Sequence, residues 1–280
     1  MTTFVDNLHN AESMPEWDAE PLTEAKIRHV PGLSEALPDG FRILCHDTIG
    51  STNTEAKGMA GDGIPTLIVA EEQTGGRGRL GKSFACPRGA GVYMSLLIYP
   101  QAGAYDALRL TALAAVVTRR VILRLTGLDT GIKWVNDLYH GERKLAGILT
   151  EGRLSPTGEL EYAVIGIGIN LHEADLGEVN RIATSTDAEG GKPTTRAEVI
   201  AGITTEIFAE LEHLCSPQIA KEYIAHSIIG GRRITIIRGD TVTEATAVRV
   251  ESDLSLLVRY DDGTEERLSS GDVSLKINQI

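Results

Sequence analysis

Apolar residues along this chain recur with two different periods, and the switches between them outline the fold. Residues 41–50, FRILCHDTIG, and 66–74, TLIVAEEQT, are short apolar runs bounded by turn formers, the pattern of strands. Residues 91–100, GVYMSLLIYP, repeat it. Over 106–125 the period lengthens, so that Leu110, Leu113, Val117, Val121 and Leu125 share one face of a helix suited to packing on a sheet. IKWVNDLYH and RKLAGILTE then predict strands linked by a turn at Gly141-Glu142, and LEYAVIGIGINL predicts another after the turn at 155–158. Ser51-Thr52-Asn53 offers N-cap chemistry for a helix running to about Ala60. Thr194 or Thr195 caps an amphipathic helix through about Leu214, and a shorter helix runs from Pro217 to His226. The polar stretch 176–193 reads as a loop.

After Gly230-Gly231 the pattern becomes short strands separated by turns, which predicts a small antiparallel barrel of about 50 residues. At the other end, residues 1–40 hold eight acids against two bases, with prolines at 15, 21, 31 and 38. That composition predicts a partly ordered acidic N-terminal arm, with one short helix at most. The expected organisation is the arm over 1–40, a main unit over 41–228 and a barrel over 229–280.

Composition narrows the setting. A hydrophobic content of 42% suits a soluble protein, and no apolar run approaches the roughly 20 residues a membrane span needs. The first residues lack the cationic start and apolar stretch of a signal peptide, so a cytoplasmic site is expected. Cys45, Cys86 and Cys215 form neither a disulfide framework nor a zinc pattern. The net charge of −12 does not suit a protein that tracks nucleic acid, so an anionic ligand would need a local cationic pocket.

One such pocket is visible in Gly75-Gly76-Arg77-Gly78-Arg79-Leu80-Gly81-Lys82-Ser83. Its glycines and cations form a loop whose amides and guanidinium groups can surround phosphate, although a solvated basic loop has the same composition. The run from Gly76 to Ser83 also satisfies the P-loop pattern. A P-loop needs a helix directly afterwards, and Pro87, Gly89 and a strand follow instead, so the match is accidental. Lys144 opens an apolar strand in phase with Ala146 and Ile148, and a cation so placed needs a partner. Asp137 could supply it structurally, or a bound carboxylate or phosphate could. Trp134 reads as core. In the run 164–170, Gly166 and Gly168 mark a close approach by ligand or backbone, while the missing third glycine excludes a dinucleotide fingerprint. No triad or zinc pattern stands out among the seven histidines.

Taken together, Ser51-Thr52-Asn53, Gln73 followed by GGRGRLGKSF, KWVNDL, RKLAGIL and GIGIN stand in the order and spacing of biotin protein ligases, and the closing GDVSL resembles that family's C-terminal barrel. The resemblance covers about residues 43–280. It implies an α+β fold, a mixed sheet flanked by helices in the manner of a class II aminoacyl-tRNA-synthetase-like ligase core, with a small C-terminal SH3-like β-barrel. It implies synthesis of biotinyl-5′-AMP from biotin and ATP with Mg²⁺, then transfer of biotin to a lysine of a biotin carboxyl carrier protein domain of a biotin-dependent carboxylase.

By the same resemblance, Ser51, Thr52, Asn53, Gln73, Gly76, Arg77, Arg79, Lys144, Gly147 and Gly166 would bind biotin. Arg77, Arg79, Lys82, Phe84, Asn136, Lys144 and Asn170 would serve ATP, with Asn136 and Asn170 on the nucleotide or metal side. Lys144, Arg77 and Asp137 would be catalytic, Asp137 assisting the incoming lysine. Phe84 departs from a frequent tryptophan, Val135 from a proline, and Leu80 and Ser83 lower the basic count. The resemblance is to the monofunctional form, because an acidic, proline-interrupted arm cannot supply a basic recognition helix; no DNA binding is expected. The competing readings are a lipoate or related acyl ligase, a non-enzymatic biotin sensor or repressor, and a P-loop NTPase.

Overall fold

The computed structural model describes residues 18–81, 83–99, 107–176, 181–214, 216–269 and 274–277. The strands read from the apolar runs assemble into a seven-stranded mixed sheet, in the order β1 (Arg42–Ile49), β2 (Thr66–Gln73), β3 (Gly91–Ile98), β7 (Leu160–Asn170), β6 (Arg143–Leu154), β5 (Asp137–His140), β4 (Gly131–Lys133). Only β1 and β2 run parallel, and α3 (Thr52–Gly58) makes their crossover. All eight residues of β3 are buried, as expected for a central strand covered on both faces.

Strand alternation divides the sheet's two faces. Ala163, Ile165, Ile167 and Ile169 of β7 join the main core, packed with the long helix α4 (Ala107–Thr126) and with α5 (Arg196–Leu211). The intervening Val164 faces a smaller cluster with Ala56 of α3, Ile68 and Leu97. Gly166, Gly168 and Asn170 continue that second face, which is therefore free of large side chains just where α3 ends its cover. Of Thr194 and Thr195, the structure uses Thr195 as the cap, in a capping box: Thr195 accepts from the Glu198 amide, and Glu198 accepts from the Thr195 amide at 2.8 Å.

Two local readings are corrected. IKWVNDLYH is not one strand but a tight hairpin, in which Lys133 pairs with Asp137 across the turn 134–136. Trp134 is buried as expected. In β6 a bulge follows Lys144: Tyr139 pairs with Lys144 and Leu138 with Ala146, so Leu145 is the extra residue. The bulge shifts the phase of Lys144 away from Ala146 and Ile148. Its ammonium instead lies over Gly147, 2.9 Å from where a Cβ there would stand.

The second sheet is antiparallel and five-stranded, in the order β11 (Glu265–Leu268), β10 (Leu256–Arg259), β9 (Thr241–Val250), β8 (Arg233–Arg238), β12 (Ser274–Ile277). It is the small antiparallel barrel that the strand pattern predicts, SH3-like as the resemblance implies. α6 (Pro217–Ala225) precedes it. Of the GDVSL run, residues 271–273 lie outside the described residues, and Ser274-Leu275 open β12. Trp134 of the hairpin turn donates its indole N–H to the carbonyl of Leu254, between β9 and β10, at 2.8 Å.

The acidic arm differs from expectation over its second half; residues 1–17 lie outside the described residues. From Asp18 onward the chain is packed, with α1 (Glu24–Arg28) and α2 (Leu33–Ala36) burying Leu22, Ile27 and Leu33. Asp18 itself enters an ionic cluster around Arg196, the fully buried first residue of α5. Asp18 Oδ2 accepts from the Arg196 amide at 2.9 Å and from its Nε at 3.0 Å, and Glu71 Oε2 takes Nη1 at 2.5 Å. His172 lies between carboxylates, with Nε2 at 3.0 Å from Asp18 and Nδ1 at 2.9 Å from Asp187.

Burial alone would raise the Asp18 pKa, but bonds from His172 and Arg196 outweigh it and hold it below its ordinary 3.8. Burial would lower His172, yet Asp18 and Asp187 hold it above its ordinary 6.5. The stability from Asp18 is thus complete above its ordinary value and lost as pH falls through the depressed one. That from His172 is complete below its ordinary value and lost as pH climbs through the raised one. Urea midpoints measured from about pH 5 to about pH 9 should therefore fall on the alkaline side, and His172→Gln should flatten that fall. Asp18→Ala, which strips Arg196 and His172 of a shared acceptor, should cost about 3–5 kcal/mol.

Candidate active site

The side-chain-poor face of the large sheet is the floor of a cavity of about 920 Å³. Glycines make the room. Gly147 and Gly168 are partners across β6 and β7, and a Cβ on Gly168 would stand 2.7 Å from the Phe84 ring. Phe84 lies across this floor, and the Lys144 ammonium stands 5.6 Å from its ring centre. Lys144 Nζ also meets Asp137 Oδ1 at 2.6 Å, so the structural partner is present, held in place by the Lys133–Asp137 hairpin.

One end of the cavity carries a polar network built by the start of α3. Ser51 occupies the N-cap position, yet its hydroxyl makes no capping bond, and it lines the cavity. Thr52 donates through its amide at 2.8 Å and its hydroxyl at 3.0 Å to Gln73 Oε1. Gln73 Nε2 donates to Cys86 Sγ at 3.1 Å, whose thiol is pushed up to about 12 by burial. Ser95 Oγ lies 2.7 Å from Thr52 Oγ1 and 2.6 Å from Asn53 Oδ1. Asn53 Nδ2 donates to Glu151 Oε2 at 2.8 Å, and Lys57 holds the other carboxylate oxygen at 2.7 Å. Helix capping is thus not what Ser51-Thr52-Asn53 does here.

The opposite end is formed by the hairpin turn and the end of β7. Asn136 donates to the Ile148 carbonyl at 2.7 Å, and Asn170 to that of Thr184 at 3.0 Å. Tyr223 of α6 donates to the Val135 carbonyl at 2.9 Å, which anchors the turn from behind. Lys133 and Tyr139 line this end with Asn136, Asp137 and Asn170. Burial pushes the Tyr139 phenol up to about 12, with Asp137 and Glu142 adding to the shift.

The basic loop borders both ends. Its base is pinned: the Gly75 amide donates to Gly50 O at 2.8 Å, and the Phe84 amide to Gly76 O at 3.0 Å. A Cβ on Gly76 would stand 2.5 Å from the Phe84 carbonyl oxygen, so glycine is required there. Arg77 pairs with Ser83, and Arg79 opens a single 3-10 turn, Arg79–Gly81. No helix follows Ser83, and the chain returns directly to β3, which removes the P-loop reading. Burial draws the Arg79 pKa down, against the pull of Asp137 and Tyr223.

Of the residues singled out from sequence, Ser51, Thr52, Asn53, Gln73, Arg77, Arg79, Phe84, Asn136, Asp137, Lys144, Gly147, Gly166 and Asn170 line this one cavity. Gly76 shapes the loop from behind it, and Lys82 lies outside the described residues. Ser95 and Glu151 were not anticipated. Ser95 left a signal, being the one small hydroxyl in the buried run GVYMSLLIYP, whereas Glu151 lies two residues beyond RKLAGIL with nothing local to mark it.

Family models match at two places: the biotin/lipoate A/B protein ligase family over residues 48–170 and the biotin protein ligase C-terminal domain over 229–276. The biotin--[acetyl-CoA-carboxylase] ligase of Paracoccus denitrificans is 30% identical over 231 residues, 77% of this chain and 93% of the relative. The chain belongs to the biotin protein ligase family. A bifunctional ligase/repressor of Bacillus subtilis is 34% identical over 210 residues, 73% of this chain; the match spans 61% of that relative's length. Two solved biotin protein ligases share the fold. The Aquifex aeolicus protein, in complex with biotin and ATP, superposes with a TM-score of 0.71 at 24% identity, covering 85% of this chain and 99% of that one. The Leishmania major protein, in complex with biotinyl-5-AMP, does so at 0.57 and 26% identity, covering 84% and 100%.

Gly168→Ala tests the floor of the cavity. The added methyl must push the Phe84 ring toward the cavity, a cost of about 1–3 kcal/mol if the ring cannot move. The ring is the movable party, so the variant should fold with a melting temperature within a few degrees; if Phe84 serves ATP, as the resemblance implies, nucleotide affinity by calorimetry should fall at least tenfold. Unaltered nucleotide affinity would remove Phe84 from that role.

Proposed function

We propose that this chain is an ATP-dependent biotin protein ligase, which makes biotinyl-5′-AMP with release of pyrophosphate and then passes biotin to a lysine of a carrier domain. The observation that carries the reading is the position of Lys144. Its ammonium stands over glycine, beside Phe84 and Asp137, between an amide- and hydroxyl-lined end and an asparagine-lined end of one cavity. A ligand with a polar ring, an apolar stem and a carboxylate fits that sequence of surfaces, and ATP fits the rest.

A carboxylate is a poor electrophile toward an amine. Its oxygen therefore attacks the α-phosphorus, the bond to the pyrophosphate oxygen breaks, and the acyl group gains AMP as leaving group. Lys144 stabilises charge on the carboxylate and α-phosphate, while Arg77 and Arg79 close on the phosphates and exclude water from the hydrolysable anhydride. In the second step the lysine nitrogen attacks the acyl carbon, AMP departs, and Asp137 takes the proton the new amide sheds.

Among the described residues no group of three or more His, Cys, Asp or Glu could hold a metal by itself. Magnesium usually keeps several waters and binds through one or two carboxylates plus substrate phosphates, so Asp137, Asn136 and Asn170 fit it as partners of an incoming MgATP. Bound there, it would neutralise phosphate charge. The ligase unit is taken as 41–228 and the barrel as 229–280. No helix among the described residues is long and apolar enough to cross a membrane. Together with use of ATP, this supports a cytoplasmic site, and the net charge of −12 favours a ligase without a DNA-binding role.

Incubation with biotin, MgATP and a biotin carrier domain should label the carrier; transfer of lipoate instead of biotin would reject the reading. Lys144→Ala should slow adenylate formation by about 10²–10³-fold, the scale for loss of one charge-stabilising donor, with little change in melting temperature. Equal loss of stability would assign Lys144 to the Asp137 ion pair alone. Arg77→Ala should speed escape of the adenylate into solution, seen as faster carrier-independent AMP release. An unchanged release rate would remove the loop from retention.

A further inference from the structure

Asn53 lines the cavity, yet its amide is committed to the protein. Both N–H groups are used, one on the Leu149 carbonyl at 3.2 Å and one on Glu151 Oε2 at 2.8 Å, and its oxygen faces Ser95 Oγ at 2.6 Å. An amide offers two donors and one acceptor oxygen, so little remains for a ligand. Its oxygen also lies 2.0 Å from where a Cβ on Gly166 would stand, which explains glycine at that position of β7.

What fixes the amide is an acid from the neighbouring strand. Were Asn53 flipped, its oxygen would face the Glu151 carboxylate and its NH₂ would face Ser95. The first contact sets acceptor against acceptor, and the second reverses the proton that Ser95 supplies. Ser95 has one proton and two acceptors within reach, Asn53 Oδ1 and Thr52 Oγ1, and Thr52 in turn bonds Gln73 Oε1. The direction of donors along Ser95, Thr52 and Gln73 therefore depends on which way Asn53 points.

We propose that Glu151, held by Lys57 at 2.7 Å, is a positioning residue for recognition of the ligand's polar ring, acting through the orientation of Asn53. The proposal rests on biotin being the ligand. Glu151 touches no ligand itself; it sets the wall that Thr52 and Gln73 present. Its carboxyl also lies in the field of Arg77, and burial, which would raise its pKa, is outweighed by Lys57 and Asn53, so that it stays charged below the ordinary 4.5.

Glu151→Gln keeps the shape but must turn its own NH₂ toward either Asn53 or Lys57, so it cannot serve both. The expected result is a biotin KM raised tenfold or more, an ATP KM within about twofold and a melting temperature within a few degrees of wild type. Lys57→Met leaves Asn53 its acceptor and should raise the biotin KM less than threefold. The deciding measurement is a double-mutant cycle with Asn53→Ala: if Glu151 acts through Asn53, Glu151→Gln adds nothing on that background. Full additivity, an unchanged biotin KM, or an equal rise in the ATP KM would each overturn the proposal. Wild-type biotin binding by calorimetry separates the two levels. No binding at all rejects the biotin reading, whereas binding equal in wild type and Glu151→Gln rejects only the positioning role.

Discussion

The buried guanidinium of Arg196 is the constraint around which the rest of the molecule is arranged. A cation without solvent needs its full complement of acceptors, and Arg196 draws them from two distant parts of the chain: the Glu71 carboxylate near the end of β2, and the Asp18 carboxylate with the Asp18 and Glu20 carbonyls of the N-terminal segment. Glu71 stands two residues before Gln73, and His172, which shares Asp18, stands two residues after Asn170. The two strand ends that deliver the polar end and the asparagine end of the cavity are therefore tied to one charge cluster behind the sheet. A carboxylate at the first turn of α5 also suits the positive end of that helix.

In front of the sheet the governing element is missing volume. Gly147, Gly166 and Gly168 on adjoining strands leave a floor into which Asn53, Phe84 and Lys144 fold from three different segments. Each glycine is matched to a named side chain. The cavity is thus shaped by side chains lying down over bare backbone, which brings an ammonium, an aromatic face and an amide into one site without burying the ammonium.

Much of this was legible in the sequence. The strands, the one-sided period of α4, a threonine cap at 194 or 195 and the barrel strands follow from patterns of neighbours, and the motifs that line the cavity were recognisable by order and spacing. Where reading failed, the cause was non-local or sub-periodic. One extra residue at Leu145 reversed the phase of Lys144, and a period-2 argument cannot detect a bulge from within one strand. The turn at Trp134 was hidden because its apolar residues are buried under α6 and the barrel loop rather than in a strand. Residues 18–40 read as part of a partly ordered acidic arm, because the basic partner of Asp18 lies 178 positions away. Glu151 was invisible for the same reason: its partners are on α3, 98 and 94 positions earlier.

The pinned base of the basic loop has a thermodynamic corollary. Because Gly75 and Gly76 are bonded to Gly50 and Phe84, and Arg77 pairs with Ser83, the backbone that carries the 3-10 turn Arg79–Gly81 is anchored before any ligand arrives. At about 1–2 kcal/mol of backbone entropy per residue fixed, the ordering of those anchored positions is met by folding rather than by the ligand. A loop anchored in this way holds its guanidinium groups at the rim of the cavity at little further entropic cost to an anion that meets them.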